Sequence, residues 1–201
     1  MRKVVYASMN KNKAEEIQRI APNDMQIICL KDIPDAYYIP RAKERGENAL
    51  ENARIKAKYW YETLNMPVIA EKSSLEIEAL NGKPGVNFKK CMESICPGLN
   101  INVNNPKELY PLLLELMRKS KKESKKALWT LAMAYVDETT TICAVKSLAG
   151  SMTPCAGKRE FGFDQYFKPE GMDKTLSELT LEEKNEISPR KIAFEAFRSH
   201  I

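Results

Sequence analysis

The sequence predicts an α/β fold, because short apolar segments alternate with amphipathic helical segments along its first half. Residues 3–7 and 25–30 have the composition of buried strands. Between them, Ala14 and Ile17 recur at helical spacing, and a second helix is predicted over residues 47–63. A narrow apolar stripe is predicted on this second helix, formed by Ala49, Ala53, Ala57 and Trp60. Three polar residues lie away from the stripe and are free to face a cleft, namely Glu51, Asn52 and Lys56. This alternation is typical of open α/β sheets, which bind their ligands where strands end.

The third predicted strand, residues 68–70, is followed at once by the polar residues Glu71, Lys72, Ser73 and Ser74. Alternation then resumes, and an Asn-Gly-Lys-Pro-Gly turn closes the stretch. We therefore expect the strand to break after residue 70 and its polar residues to lie at a ligand site. The alternative interpretation is a strand end that turns into a solvated loop.

A polar loop also follows the first strand. A strand, a polar loop and a helix in succession aim backbone N–H groups and the helix dipole at an anion. Asn10 and Lys13 would add side-chain donors to a phosphate. The glycines and the Gly-Lys-Ser/Thr ending of a P-loop are missing, so a lysine-rich helix cap is the alternative.

The second half of the chain carries further boundary signals. A hairpin is predicted from two strand-like segments, residues 127–136 and 140–148. Residues 88–105 are weakly patterned. A helix is predicted to start at Asn105-Pro106, with a kink or a later start at Pro111. Thr180 and Glu183 form a capping box that opens a second helix. A last helix is predicted to start at Ser188-Pro189, and its buried face is expected to contain Ile192, Ala193, Ala196 and Phe197.

Composition excludes several function classes. The net charge of +5 over 201 residues is supplied by the run 118–126, which lacks interleaved aromatic residues and is typical of a solvated helix end. We expect no nucleic-acid binding. No apolar run reaches membrane-spanning length, and the first residues lead straight into a predicted strand rather than into a signal-peptide core. We therefore expect no signal peptide and no membrane association. The five scattered cysteines indicate reduced thiols and a cytoplasmic protein.

The single histidine, His200, lies next to the C-terminal residue. Its position argues against Ser-His-Asp and Cys-His catalysis. Cys91 and Cys96 are the closest cysteine pair, but no second pair or nearby histidine supports a zinc site. Any catalysis is therefore expected from carboxylates, lysines, hydroxyls or a metal with oxygen ligands.

Several motifs in order resemble the inosine triphosphate pyrophosphatase family. The likeness runs nearly from end to end of the chain. Its matching segments are SMNKNK at 8–13 (family TGNxxK), ERG at 44–46 with ENARIKA at 51–57 (ETG…ENAxxKA), LNGKPGV at 80–86 (LGGxPGV), FGFD at 161–164 (FGYD or FGWD), KPEG at 168–171, and KN at 184–185.

The resemblance implies a single ITPase-like domain over residues 1–201. Its fold would be a long, twisted mixed sheet flanked by helices, with two lobes around a nucleotide cleft. The implied reaction is Mg²⁺-dependent hydrolysis of ITP, dITP or XTP to monophosphate and pyrophosphate. The implied partners are a purine nucleotide and a second copy of the chain in a homodimer.

The resemblance also implies the roles of individual residues. Glu44 and Glu71 would hold the metal. The catalytic positions would be Glu71 and Lys72, the latter in place of the family's aspartate. The implied substrate-binding residues are Ser8, Asn10, Lys13, Ser73, Lys90, Phe161, Gly162, Phe163, Asp164, Lys184 and Arg190.

Four departures from the family bear on the predicted site. The acidic pair of ADDSGL or VEDTCL reads Glu71-Lys72, so a lysine replaces the second acid, which is expected to bind metal and act as the base. An ammonium group cannot ligate Mg²⁺ and repels it. Pro189 replaces the histidine of the family's Ser-His-Arg. Lys90 stands where relatives often carry arginine, and Gln165 replaces the usual proline.

Two interpretations follow from Lys72. In the first, the protein is an impaired hydrolase whose metal is held by Glu44 and Glu71. In the second, the charge of Lys72 pairs with the triphosphate, and the protein is a sensor or sequestering protein that binds nucleotides without cutting them. A purely structural role with an empty cleft is a third possibility.

Overall fold

A computed structural model of the chain describes residues 1–98, 102, 105–158, 162–198 and 201. Its strands form one seven-stranded sheet. The strands are β1 (Arg2–Tyr6), β2 (Met25–Cys29), β3 (Val68–Ile77), β4 (Lys83–Gly85), β5 (Lys126–Val136), β6 (Thr141–Met152) and β7 (Phe167–Pro169). The helices are α1 (Lys11–Gln18), α2 (Ala49–Leu64), α3 (Phe88–Ile95), α4 (Pro106–Lys119), α5 (Leu181–Ile187) and α6 (Pro189–Glu195).

The sheet is mixed, as predicted. Its strand order is β2-β1-β3-β5-β6-β7, with β4 paired to β3. Strand β1 runs parallel to β2 and β3, whereas β3 with β4 and β6 with β7 are antiparallel pairs. β5 and β6 are neighbours joined by only four residues, a link that allows antiparallel pairing alone. The prediction of a mixed sheet flanked by helices and the predicted hairpin are thus confirmed.

The chain divides into two compact units, and the divisions fall within β3, β5 and β6 or just before α6. The first unit contains Met1–Ser73, Leu131–Lys146 and Pro189–Ile201, and the second contains Ser74–Thr130 and Ser147–Ser188. The first unit thus holds β1, β2, α1, α2 and α6. The second unit holds α3, α4 and α5.

The core of the first unit is built from β1, β3 and one face of α2. Val4 and Val5 are fully buried in β1, as is Ile69 in β3. Ala53 and Ala57 are also fully buried, because their small side chains let α2 approach its neighbours closely. The apolar stripe predicted for this helix is therefore confirmed.

Strand β3 does not break after residue 70, contrary to the sequence prediction. It continues through the polar residues as one ten-residue strand that ends at Ile77. Glu71 is 5% exposed. A buried carboxylate is tolerated within a strand when cationic groups surround it, and the ion pairs described below do so. The predicted strand end was wrong because the alternation of apolar and polar residues takes no account of such ion pairs.

The predicted helix starts are confirmed, with differences inside the helices. Asn105 caps α4 by accepting a hydrogen bond from the backbone of Lys107, so Pro111 lies within the helix rather than delaying it. Thr180 and Glu183 form the predicted capping box of α5.

Two helical features were not predicted correctly. Helix α3 occupies part of the weakly patterned segment and was missed. Helix α6 begins at Pro189 as predicted, but its buried face was wrong in part. Ile192 and Ala196 are exposed, whereas Arg190 and Phe194 are buried. The pattern search missed Arg190 because it counted only apolar residues.

Two further observations complete the fold. Within the described residues, no helix combines the length and the apolar character that crossing a membrane requires. Phe161 and His200, which the sequence analysis singled out, lie outside the described residues.

Candidate functional site

The first unit brings two polar segments to the same edge of its sheet. Strands β1 and β3 are parallel neighbours, with Tyr6 opposite Ile69. The loop that leads into α1 follows β1 directly, and Glu71 lies two residues beyond Ile69 on β3. Strand β3 continues past the end of β1 and therefore places Glu71 beside the start of α1, a position where α/β folds bind ligands.

Glu71 is held by two cationic side chains. Its Oε1 accepts hydrogen bonds from Lys13 Nζ at 2.7 Å and from Arg190 Nη2 at 3.0 Å. Its Oε2 accepts from Arg190 Nε at 2.7 Å. Burial alone would raise the pKa of Glu71, but Arg190 and Lys13 outweigh it and hold that pKa well below its usual range. The carboxylate is therefore ionised and fully engaged.

Arg190 links this carboxylate to α1. It is 3% exposed, and its Nη1 donates to Glu16 Oε2 at 2.8 Å. Pro189 begins α6, a position where its missing N–H costs nothing, and this start sets Arg190 in the first turn. Glu16 carries no motif signal, so the sequence analysis did not find it.

Lys72 pairs with the other predicted metal ligand. Lys72 Nζ lies 2.5 Å from Glu44 Oε2, and Lys56 Nζ lies 3.4 Å from Glu44 Oε1. Burial would raise the pKa of Glu44, but the ammonium groups of Lys56 and Lys72 lower it overall. Burial lowers the pKa of Lys56, and the attraction of Glu44 opposes that shift. Glu44 is thus an ionised carboxylate shared by two lysines.

The start of α2 fixes the loop that carries Glu44. Asn52 is fully buried, accepts from the backbone N–H of Gly46 at 2.9 Å and donates to the carbonyl oxygens of Gly46 and Asn48 at 3.0 Å. A Cβ at Gly46 would lie 2.6 Å from Cβ of Glu51, so glycine is required there. The prediction that Asn52 is free to face a cleft is wrong, because its amide is consumed by this loop.

We expect Asn52→Ala to lower the free energy of unfolding by about 2 kcal/mol, because three partly buried hydrogen bonds to the loop backbone are lost. Denaturant unfolding would measure the change. The matched control is Lys58→Ala on the same helix, whose side chain is 72% exposed and which we expect to shift stability by less than about 0.5 kcal/mol. Equal effects of the two substitutions would contradict the role assigned to Asn52.

Together these side chains form what we call the charged cluster, which lies entirely within the first unit. It contains four cations and three carboxylates, an excess of one positive charge. Its members are Lys13, Lys56, Lys72, Arg190, Glu16, Glu44 and Glu71. Such a balance favours an anionic ligand over a cationic one.

The described residues contain no group of three or more histidine, cysteine, aspartate and glutamate side chains that could hold a metal ion. Glu44 and Glu71, the two predicted metal ligands, each have both oxygens against cationic nitrogen atoms. Mg²⁺ requires a nearly octahedral set of oxygen ligands. As placed, these residues do not fit a divalent cation.

The remaining residues predicted on the phosphate side lie in ordinary surroundings. Asn10 precedes α1, and its backbone N–H donates to Ser8 Oγ at 3.1 Å. Ser73 is half-buried in β3. Lys90 is exposed on α3 in the second unit. Their roles in binding stay predictions.

The second unit contains the residues predicted on the base side. Asp164 and Lys184 are both buried, and their Oδ2 and Nζ atoms lie 2.6 Å apart. Gly162 has φ of +56°, a conformation that glycine adopts readily. Phe163 meets the rings of Trp129 and Tyr110 edge to face, at centroid distances of 5.0 and 6.0 Å. The motif thus forms a turn with one buried ion pair and one aromatic contact surface.

Comparison with known proteins bears on the whole chain. The model of the Ham1 family matches residues 4–200. A dITP/XTP pyrophosphatase of Borrelia duttonii is 35% identical, with 100% of this chain and 98% of that protein covered. A dITP/XTP pyrophosphatase of Flavobacterium johnsoniae is 32% identical, with 94% and 92% covered. The solved structure of a HAM1 protein from Coxiella burnetii matches with a TM-score of 0.80 and 25% identity, covering 100% and 98% of the two chains.

These matches extend over the full length of the chain, and they include the strands, helices and loops that carry both groups of predicted site residues. The resemblance inferred from the ordered motifs is therefore confirmed. The chain belongs to the Ham1 family.

Proposed function

We propose that this chain binds purine nucleoside triphosphates with altered bases, namely ITP, dITP and XTP. We further propose that it hydrolyses them to monophosphate and pyrophosphate far more slowly than its relatives do. The observation that carries the proposal is the ion pair of Lys72 with Glu44, at the place where the family motif has an acid. Residues 1–201 would act as one ITPase-like domain in a homodimeric, cytoplasmic protein.

Binding is supported by the charged cluster. Lys13 lies in the first turn of α1, where helix N-terminal N–H groups favour phosphate oxygens. Lys13 and Lys72 are 29% and 23% exposed, so their ammonium groups can reach a ligand. In this proposal the triphosphate contacts these lysines, and Gly162, Phe163 and Asp164 contact the base as the family resemblance implies.

Impaired hydrolysis is supported by the same lysine. Phosphoryl transfer depends on positioning and on neutralising charge, and a carboxylate base orients the attacking water. Mg²⁺ is the cofactor that the family reaction implies. Position 72 supplies an ammonium group instead of a carboxylate, and Glu44 and Glu71 are taken up by ion pairs. The chain therefore lacks a fitted place for the metal and lacks the expected base.

The alternative is a nucleotide-binding protein without hydrolysis, acting as a sensor or a sequestering protein. The specific observation that favours it is that Glu44 carries two lysine partners, Lys56 and Lys72. Restoring a metal site would require displacing both of them. Turnover separates this alternative from the impaired hydrolase.

The test combines binding and turnover. We expect calorimetry to show tighter binding of XTP, ITP and dITP than of ATP and GTP. We expect pyrophosphate release to be at least about 100-fold slower than that of the Borrelia duttonii relative. This factor is the lower end of the rate enhancement that a positioned base contributes. Turnover equal to that of the relative would mean that another residue serves as base. Absence of binding by every nucleotide would leave only a structural role.

A further inference from the structure

We propose that the charged cluster binds the phosphate chain as a metal-free anion, with Lys72 providing the positive charge. This inference rests on the proposed function, because it concerns the same ligand and the same site. It adds that divalent cations are not needed for binding and that Glu44 competes with the ligand. Four cationic groups, three of them partly exposed, surround carboxylates that they already neutralise.

The Glu71 half of the cluster is electrically balanced. Its two oxygens receive three hydrogen bonds from Lys13 and Arg190. Arg190 is also shared with Glu16, so these four groups balance to zero net charge. A bound anion therefore meets no uncompensated negative charge from this half of the cluster.

Glu44 is the carboxylate of the other half of the cluster. Lys56 and Lys72 both converge on this one carboxylate, so the other half of the cluster carries the excess positive charge. Lys56 is the more enclosed of the two lysines, with its side chain 19% exposed. A phosphate oxygen can take the place of Glu44 as the partner of Lys72, since both are anionic acceptors of charge-assisted hydrogen bonds. Glu44 then acts as an internal anion that the ligand displaces.

The positive charge of Lys72 disfavours divalent cations at this site. A metal ion at Glu44 would lie within hydrogen-bond range of the Lys72 ammonium group, which repels it. A metal ion bound to the free phosphate chain would neutralise the charge that the lysines attract. Both effects predict that Mg²⁺ weakens binding rather than strengthening it.

Metal-free binding predicts that two substitutions change the affinity for the phosphate chain in opposite directions. Glu44→Gln removes the internal anion and should tighten the binding of inorganic tripolyphosphate several-fold. Lys72→Gln removes the cation and should weaken it about tenfold or more, the loss of a charge-assisted hydrogen bond. A metal-bridged site predicts the reverse for the first substitution, because Glu44 would then be a ligand of the metal. The matched controls are Glu62→Gln and Lys58→Gln, an i,i+4 pair on the exposed side of α2.

The experiment is calorimetric titration of XTP and of inorganic tripolyphosphate, in EDTA and in excess MgCl₂, after thermal melting has shown that each variant folds. We expect both ligands to bind in EDTA. Binding should be tighter in Glu44→Gln, weaker in Lys72→Gln and unchanged in the control variants. Binding that requires Mg²⁺, or a weakened Glu44→Gln variant, would overturn the metal-free model and leave the proposed nucleotide binding intact. Binding of XTP without any binding of tripolyphosphate would also overturn it. Absence of binding by both ligands in both conditions would overturn the inference and the proposed function together.

Discussion

Lys72→Asp is expected to raise Mg²⁺-dependent pyrophosphate release from XTP by about 10²- to 10⁴-fold, the range that a positioned general base contributes. The substitution removes the ammonium group that now pairs with Glu44 at 2.5 Å. It places a second carboxylate beside Glu44, and carboxylate oxygens are the ligands that Mg²⁺ prefers. Release of pyrophosphate from XTP, ITP, dITP and ATP would be measured for both proteins.

Two controls make the result specific. Lys58→Asp introduces the same charge change on the exposed side of α2 and should leave turnover unchanged. Lys72→Gln removes the ammonium group without adding a carboxylate, so it should not restore turnover. A rise with Lys72→Gln equal to that with Lys72→Asp would show that the lysine only blocks the site. No rise with either substitution would mean that the site lacks more than this one acid.

The same substitution connects hydrolysis with the metal-free model. In the protein as it stands, Mg²⁺ is expected to weaken the binding of the phosphate chain. With aspartate at this position, Mg²⁺ should strengthen it, because the charge excess of the cluster is reversed. A single residue would then decide whether the ligand binds as a free anion or with a metal.

Local signals predicted much of the fold, and the exceptions share a cause. Asn105 and the Thr180–Glu183 capping box predicted helix starts from short-range hydrogen bonds, which depend on residues close in sequence. The continuous course of β3 depends on Glu71 meeting Arg190, a residue 119 positions away. No periodicity within a short window can reveal such a partner.

The candidate site was predictable to the extent that it lies in motifs. Glu44, Glu71, Lys72 and Arg190 were all found by the resemblance, and the structure brings them together in one cluster. The structure added which carboxylate each cation pairs with. It also assigned Asn52 to the support of the loop, although the sequence analysis expected this side chain to be free to face a cleft. Pairings of this kind depend on tertiary geometry, which the sequence motif does not specify.

Arg190→Met is expected to lower the free energy of unfolding at neutral pH by about 3 kcal/mol, because it leaves the buried carboxylate of Glu71 with too little counter-charge. Arg190 is 3% exposed and makes three hydrogen bonds to Glu71 and Glu16. Arg190→Lys should give an intermediate loss, since it keeps the charge but cannot form the two-pronged contact with Glu71. The matched control is Lys191→Met at the next position, which removes an i,i+4 pair of 3.8 Å and should cost less than about 0.5 kcal/mol.

The pH dependence of this loss tests its physical cause. The folded-state pKa of Glu71 lies well below the usual value of about 4.3. Its contribution to stability is therefore fully present above that usual value, and it is lost as the pH falls toward the folded-state pKa. In Arg190→Met, burial raises the pKa of Glu71 while Lys13 alone lowers it, so the gain in stability between about pH 3 and pH 5 should shrink. Urea unfolding of both proteins at a series of pH values would measure this slope.

A double-mutant cycle would show that the two residues act through each other. Glu71→Gln alone removes the carboxylate that Arg190 binds. Adding Arg190→Met to this variant should therefore lower the free energy of unfolding much less than it does in the parent protein. Additive losses would mean that Arg190 stabilises the fold through its other contacts, such as that with Glu16. An unchanged acid slope in Arg190→Met would assign the low pKa of Glu71 to Lys13 instead. Lys13 and Arg190 both hold the oxygens of Glu71. The slope of stability against pH and the double-mutant cycle together therefore show which of these two residues stabilises the fold through Glu71 and which is left for ligand binding.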